Sequence, residues 1–173
     1  MTSTERIDPP PAADEAVTVK AFLDYHRDTL RMKTEGLTHD QLNATLAPST
    51  MMLGGMLKHL ALVEDNWLSV VLLGNEDADY WRDVDWDADS DWDWHSAVDD
   101  SPERLLRLFD DAVTASDRII EKALANNGLD TLSVRRERGS DEPFSLRWIM
   151  LHMIEEYARH NGHADLIRES IDG

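Results

Sequence analysis

The sequence predicts an all-α fold arranged as a four-helix bundle. Four long segments repeat apolar side chains at helical spacing, residues that start and stop helices bracket them, and strand signals are nearly absent. The length of 173 residues, 42% of them apolar, suits one domain with its own core. Residues 1–12, ending in Pro9-Pro10-Pro11, read as a disordered lead-in, and 13–173 as a single domain.

The first helix is expected from about Asp14 to Thr34, with Val17, Phe22, Leu23, His26, Leu30 and Met32 on its apolar face and Gly36 as its stop. Thr38 followed by Gln41 is a capping-box pattern for a short helical turn that ends before Pro48. The second long helix should run from about Thr50 to Leu73 and stop at Gly74. Ser101-Pro102-Glu103 opens the third with an N-cap, a proline in the first position and an acid in the first turn. That helix ends near Asn126-Asn127-Gly128. Residues 129–144 read as irregular, with a short extended piece at Leu132–Val134, before the fourth helix, Leu146 to about Ile171.

The connection from Asn75 to Asp100 is 26 residues long. At roughly 3.3 Å per extended residue it is long enough to cross a bundle end to end, so the second and third helices can run parallel. It holds 11 acidic residues, one arginine and four of the six tryptophans. Asp85, Asp87, Asp89, Asp91 and Asp93 alternate, but the calcium-loop pattern fails: Ser90 stands where a turn glycine is needed and Ser96 where a bidentate glutamate is needed. The expected arrangement is a solvated crossover whose tryptophans dock on the bundle while its aspartates face water.

Composition narrows the function classes. Lysine and arginine number 17 against 35 aspartates and glutamates, a formal net charge of −18, which opposes binding to nucleic acid or to an anionic membrane surface. No apolar run approaches a membrane span, and Met1–Ala16 shows no signal-peptide pattern, so the expected location is cytoplasmic. Absence of cysteine removes disulfides, thiolate metal sites and a cysteine nucleophile.

The most specific pattern lies in the fourth helix. At about 100° per residue, one narrow stripe carries Ile149, His152, Glu156, His160, His163 and Ile167. Glu155 falls toward solvent, and Leu151, Ile154 and Ala158 form a second apolar stripe. In the second helix, His59 sits on an apolar face with Met52, Met56, Val63 and Trp67. Two imidazoles and a carboxylate directed into one interior suit a divalent transition metal. The plainer reading stands beside it: a satisfied core histidine, and a Glu156–His160 pair at i, i+4 on a helix surface. The pattern His-Glu-x-x-His is absent, and so is a second Glu-x-x-His copy of the di-iron type, which leaves a mononuclear site as the metal reading.

The segments GGMLKHLALVEDNW and LRWIMLHMIEEYARHNGHADLIRES resemble the DinB/YfiT-like superfamily. They are most similar to the branch of mycothiol-dependent transferases and the metal-binding domain of mycothiol-dependent maleylpyruvate isomerase. The resemblance spans nearly the whole chain. It implies an up-down-down-up bundle and a metal held by His59, Glu156 and His160, with His152 as the rival ligand one turn away. Many relatives have histidine where Glu156 stands; the histidine–glutamate–histidine set belongs to the mycothiol-linked branch. His163 replaces a frequent glutamine and is expected near the substrate.

The implied activity is transfer of a low-molecular-weight thiol, mycothiol in this branch, to an electrophile. The cofactor would be zinc, with nickel or iron as alternatives. Three protein ligands leave room for a further ligand, as catalytic rather than structural zinc sites do. Because the chain has no cysteine, the thiol would arrive as a small molecule. Arg159 and His163 are the candidate catalytic groups, and the run Arg135, Arg136 and Arg138 is the candidate thiol-binding patch, or else a solvated loop paired with nearby acids. Two other readings stay open: a metal-dependent hydrolase, and a non-catalytic, metal-stabilised stress-response module that forms a homodimer through the second face of the fourth helix.

Overall fold

The computed structural model describes residues 6–173. Its element order is α1 Glu15–Thr34, α2 His39–Leu42, α3 Leu53–Glu64, a π-helical continuation Asp65–Leu72, α4 Asp79–Arg82, α5 Trp92–His95, α6 Pro102–Asn126, β1 Leu132–Arg136, β2 Pro143–Ser145 and α7 Leu146–Asp172. The molecule is mostly helical. Part of the expected lead-in, residues 1–5, lies outside the described residues. Within the described part, Arg6 donates to Thr29 Oγ1 at 3.1 Å and its guanidinium covers the Tyr25 ring.

Side chains that satisfy orphan N–H groups start α1, α6 and α7, while α3 begins after Met52 without one. The Asp14 carboxylate accepts from Val17 N at 2.9 Å. Ser101 and Ser145 do the same for α6 and α7, with Pro102 in the first turn of α6. Thr38 and Gln41 form the complete reciprocal capping box of α2.

Polar contacts fix how the long helices lie against one another. Glu15 at the start of α1 pairs with Arg147 at the start of α7, while Lys33 near the end of α1 pairs with Asp165 near the end of α7, so the two run in the same direction. Asn161 ties them mid-length by donating to the His26 carbonyl at 2.9 Å. Helix α3 packs on α6 closely enough that Leu105 lies beside Gly54 near the start of both helices. Further along, Ser116 donates to the Glu64 carbonyl. The core between these layers is built from Leu23, Leu30, Leu57, Leu60, Phe109 and Met153, all fully buried.

Four expectations are corrected. The segment after α6 is not irregular: β1 pairs antiparallel with β2, Leu132 opposite Ser145 and Arg136 opposite Pro143, with a bulge between them. Gly74, at φ +75°, lets this hairpin close on the end of the π-helical segment; a Cβ there would lie 2.6 Å from Val134. On α1, Leu23 and Leu30 are buried as expected, but Val17, Phe22 and Met32 are exposed, and Arg27 is buried in their place. Within the chain the second stripe of α7 is mostly uncovered: Leu151 is 51% exposed and Ala158 is exposed as well, while Ile154 packs against the core; Met150, Met153 and Tyr157 form the buried side. Finally, the aspartates of the crossover do not all face water. Asp93 and Asp100 are buried.

Asp100 is buried because Lys58 is. The Lys58 ammonium lies 2.6 Å from Asp100 Oδ2 and 4.4 Å from the Trp92 ring centre, so charge pairing and a cation–π contact together offset its desolvation. A second buried charge crosses three helices. Arg27 of α1 donates through Nε and its terminal nitrogen to both oxygens of Glu64 of α3, each at 2.7 Å, and Tyr157 of α7 donates to the same carboxylate at 2.7 Å. Burial and the Glu64 charge hold the Tyr157 hydroxyl well above its ordinary pKa, so it remains a donor.

Candidate functional site

Helix α3 carries His59 and helix α7 carries Glu156 and His160. Each of the three offers one donor atom, and these atoms all lie within 4.8 Å of one another. The i, i+4 spacing on α7 stacks Glu156 and His160 on one face, His160 Nε2 lying 3.5 Å from Glu156 Oε2. The ring of His59 meets that of His160 edge-on, with centres 5.0 Å apart.

Two further features bear on the pair of imidazoles. Asp93, buried at 3% exposure, lies 2.7 Å from His59 Nδ1. The carboxylate accepts from Nδ1, which leaves Nε2 as the nitrogen of His59 free to act as a ligand. Burial, then the nearby His59, His163 and Arg159, push the His160 pKa down to about 4, so this ring is neutral at pH 7 and free to donate a lone pair. Its Nδ1 is buried with no hydrogen-bond partner among the described residues. Two imidazoles and a carboxylate are a donor set that suits a divalent transition metal.

Trp94 closes the site from the crossover. Its indole stacks on His59 at 4.9 Å and 28°, and sits 5.5 Å from His160. Gly55 makes this contact fit: a Cβ at that position would be 2.6 Å from the indole, closer than real carbon contacts allow. Trp92-Asp93-Trp94 therefore reaches the site as one turn of α5, with its acid placed on His59 and an indole on the same ring. Sequence reasoning missed Asp93 because it assigned the whole acidic run to solvent. The available signal was that this acid sits between two tryptophans.

The other expected site residues fall in different surroundings. His152 stacks on Trp148 at 5.0 Å and meets Trp67 at 4.7 Å; its Nε2 is 4.0 Å from Glu156 Oε1, and it does not join the group of three. His163 has its ring centre 6.4 Å from that of His160 and a buried Nδ1 with no hydrogen-bond partner among the described residues. Arg159 is exposed and bonded to Glu155. Arg135, Arg136 and Arg138 are exposed: Arg135 reaches the Asn75 carbonyl and Glu76, and Arg136 the Asp141 carbonyl. Among the described residues, no helix is long and apolar enough to cross a membrane.

The family model for mycothiol-S-transferase matches residues 18–173. Comparison with curated proteins gives no match. The family match takes in α3, the crossover and α7, hence every element that builds the three-residue cluster, and it bears out the resemblance to the DinB/YfiT-like superfamily drawn from those same segments. The chain belongs to the mycothiol-S-transferase family.

Proposed function

We propose that this protein is a metal-dependent transferase that joins a low-molecular-weight thiol, mycothiol or a close relative, to an electrophilic carbon. The observation that carries the reading is the convergence of His59, Glu156 and His160 within 4.8 Å, in a chain that belongs to a thiol-transferase family and has no cysteine of its own. A bound divalent ion would supply the Lewis acidity that brings a thiol into its nucleophilic thiolate form at neutral pH. The four long helices are read as an up-down-down-up bundle, supported by the shared direction of α1 and α7 and by the length of the crossover.

The protein's own groups do the rest. Asp93 engages Nδ1 of His59, which leaves Nε2 as the atom that would ligate the ion. The buried surroundings of His160 keep its imidazole uncharged and able to offer a lone pair. His163, with an unpartnered ring nitrogen beside this cluster, is the group assigned to take up the thiol proton. Arg159, held by Glu155 on the exposed side of α7, fits that role less well.

Turnover tests the reading. Metal-loaded protein should consume mycothiol together with a soft electrophile such as monochlorobimane faster than the uncatalysed background, and a chelator should abolish the difference. Chelator-insensitive turnover would remove the metal from the reaction. Full metal loading with no turnover of any cellular thiol would favour hydrolysis or a binding role.

A further inference from the structure

Between the crossover and α3 lies a cleft of about 450 Å³, within the size range of small-molecule sites. The indoles of Trp81, Trp86 and Trp94 wall it, Asp77 and Asp91 stand beside them, and no lysine or arginine lines it among the described residues. The same crossover already holds one cation next to it. The Lys58 ammonium lies 4.4 Å from the Trp92 ring centre and 5.4 Å from that of Tyr80, with Asp100 Oδ2 at 2.6 Å. The two sets of rings touch: Trp81 meets Tyr80 at 4.5 Å and 78°, and Trp86 meets Trp92 at 6.3 Å and 83°. The cleft thus repeats, with Trp81, Trp86 and two carboxylates, the combination of rings and acid that holds Lys58. We propose that the cleft is a second cation site, and that its ligand is an organic cation carrying an alkylated ammonium group.

Charge and ligand chemistry select that class. Through their side chains, Asp77 and Asp91 make no hydrogen bond or ion pair among the described residues. The crossover has 11 acids, and its single arginine, Arg82, is paired with Asp79. Asp93 also lines the cleft but is committed to His59. An anion would therefore meet two carboxylates with no countercharge, and a neutral ligand would gain nothing from their field. A calcium or magnesium ion needs a shell of about six oxygens, which a wall of three indoles does not offer, and the alternating aspartates lack the calcium-loop pattern. An alkylated ammonium uses both kinds of wall: its methyl groups pack on the indoles, whose ring electrons attract its charge, and the carboxylates add a longer-range pull. Packing of Trp81 on Tyr80 and of Trp86 on Trp92 holds the rings in place beforehand, so little ordering is required on binding. His59 shares the wall, so the bound cation lies at the edge of the three-residue cluster.

Choline and 3,3-dimethylbutan-1-ol, which has carbon in place of the charged nitrogen, separate charge from shape. Each is titrated by calorimetry into the full chain, with tryptophan fluorescence as a second readout. Choline should bind saturably and about tenfold more tightly than the alcohol, and calcium should not displace it. Trp86→Ala should weaken choline about tenfold and Asp91→Asn about threefold. Asp91 is exposed, so Asp91→Asn carries the test if Trp86→Ala fails to fold. No saturable choline binding below about 10 mM, equal affinity for the alcohol, displacement by calcium, or choline affinity unchanged in the folded variants would each overturn the assignment. Choline binding requires no turnover: a failed transferase assay leaves the cation site standing, and a failed choline titration leaves the transferase standing.

Discussion

Glu64 has no exposed surface, and inside the molecule Arg27 meets both of its oxygens while Tyr157 donates to one of them. Removing its charge leaves the buried Arg27 guanidinium with only the partly exposed carboxylates of Asp117 and Asp24, at 2.8 and 3.1 Å, so Glu64→Gln should destabilise the fold by about 3–5 kcal/mol, read from urea unfolding. A loss below about 1 kcal/mol would mean that water or Asp117 replaces the carboxylate. His26 offers a pH test away from the three-residue cluster. Burial first, and the charge of Arg6 second, hold its pKa below 6.5. The folded state then binds fewer protons than the unfolded one below pH 6.5, so the stability His26 contributes is complete above that value and is lost as pH falls through the lowered folded pKa. The unfolding free energy should fall less steeply between about pH 6.5 and 5 in His26→Asn than in wild type; parallel slopes would contradict the assignment. At this scale the sequence brought out His59, Glu156 and His160, which converge in the fold, because histidines and a glutamate on apolar stripes are conspicuous. It hid the Arg27–Glu64–Tyr157 network, whose members are 37 and 93 residues apart and look like ordinary helix-surface and core residues when taken singly.

Among the elements, those specified by local rules were legible and those specified by distant packing were not. Capping patterns announced α2 and α6 to within a residue or two, since an N-cap acts on its own first turn. The hairpin was missed beyond a short extended piece because its strands are five and three residues long and depend on packing against the π-helical segment, which Gly74 permits. The crossover showed the same limit. Its length was legible, but the burial of Asp93 and Asp100 depends on His59 and Lys58, which lie 34 and 42 residues away. The consequence is testable through metal affinity. Asp93→Asn keeps the shape but loses the carboxylate that engages His59 Nδ1, so competition against a chelator should show metal affinity falling about 10- to 100-fold. Unchanged affinity would show that Asp93 serves only to anchor α5.

For the molecule as a whole, the cluster is a product of the complete fold. His59 and Glu156 are nearly a hundred residues apart in sequence, and only the packing of α3 beside α7 unites them. A ligand that binds this arrangement and not the unfolded chain must stabilise the fold, by about 2.7 kcal/mol at a hundred times its dissociation constant. The central claim is that His59, Glu156 and His160 together hold a divalent ion, and the metal content of the purified full chain tests it most directly. The account predicts one divalent ion per chain in the wild type, retained in His152→Ala and lost from His59→Ala, Glu156→Ala and His160→Ala, each of which remains folded by circular dichroism. Full stoichiometric metal in all three variants, or loss in His152→Ala alone, would contradict it.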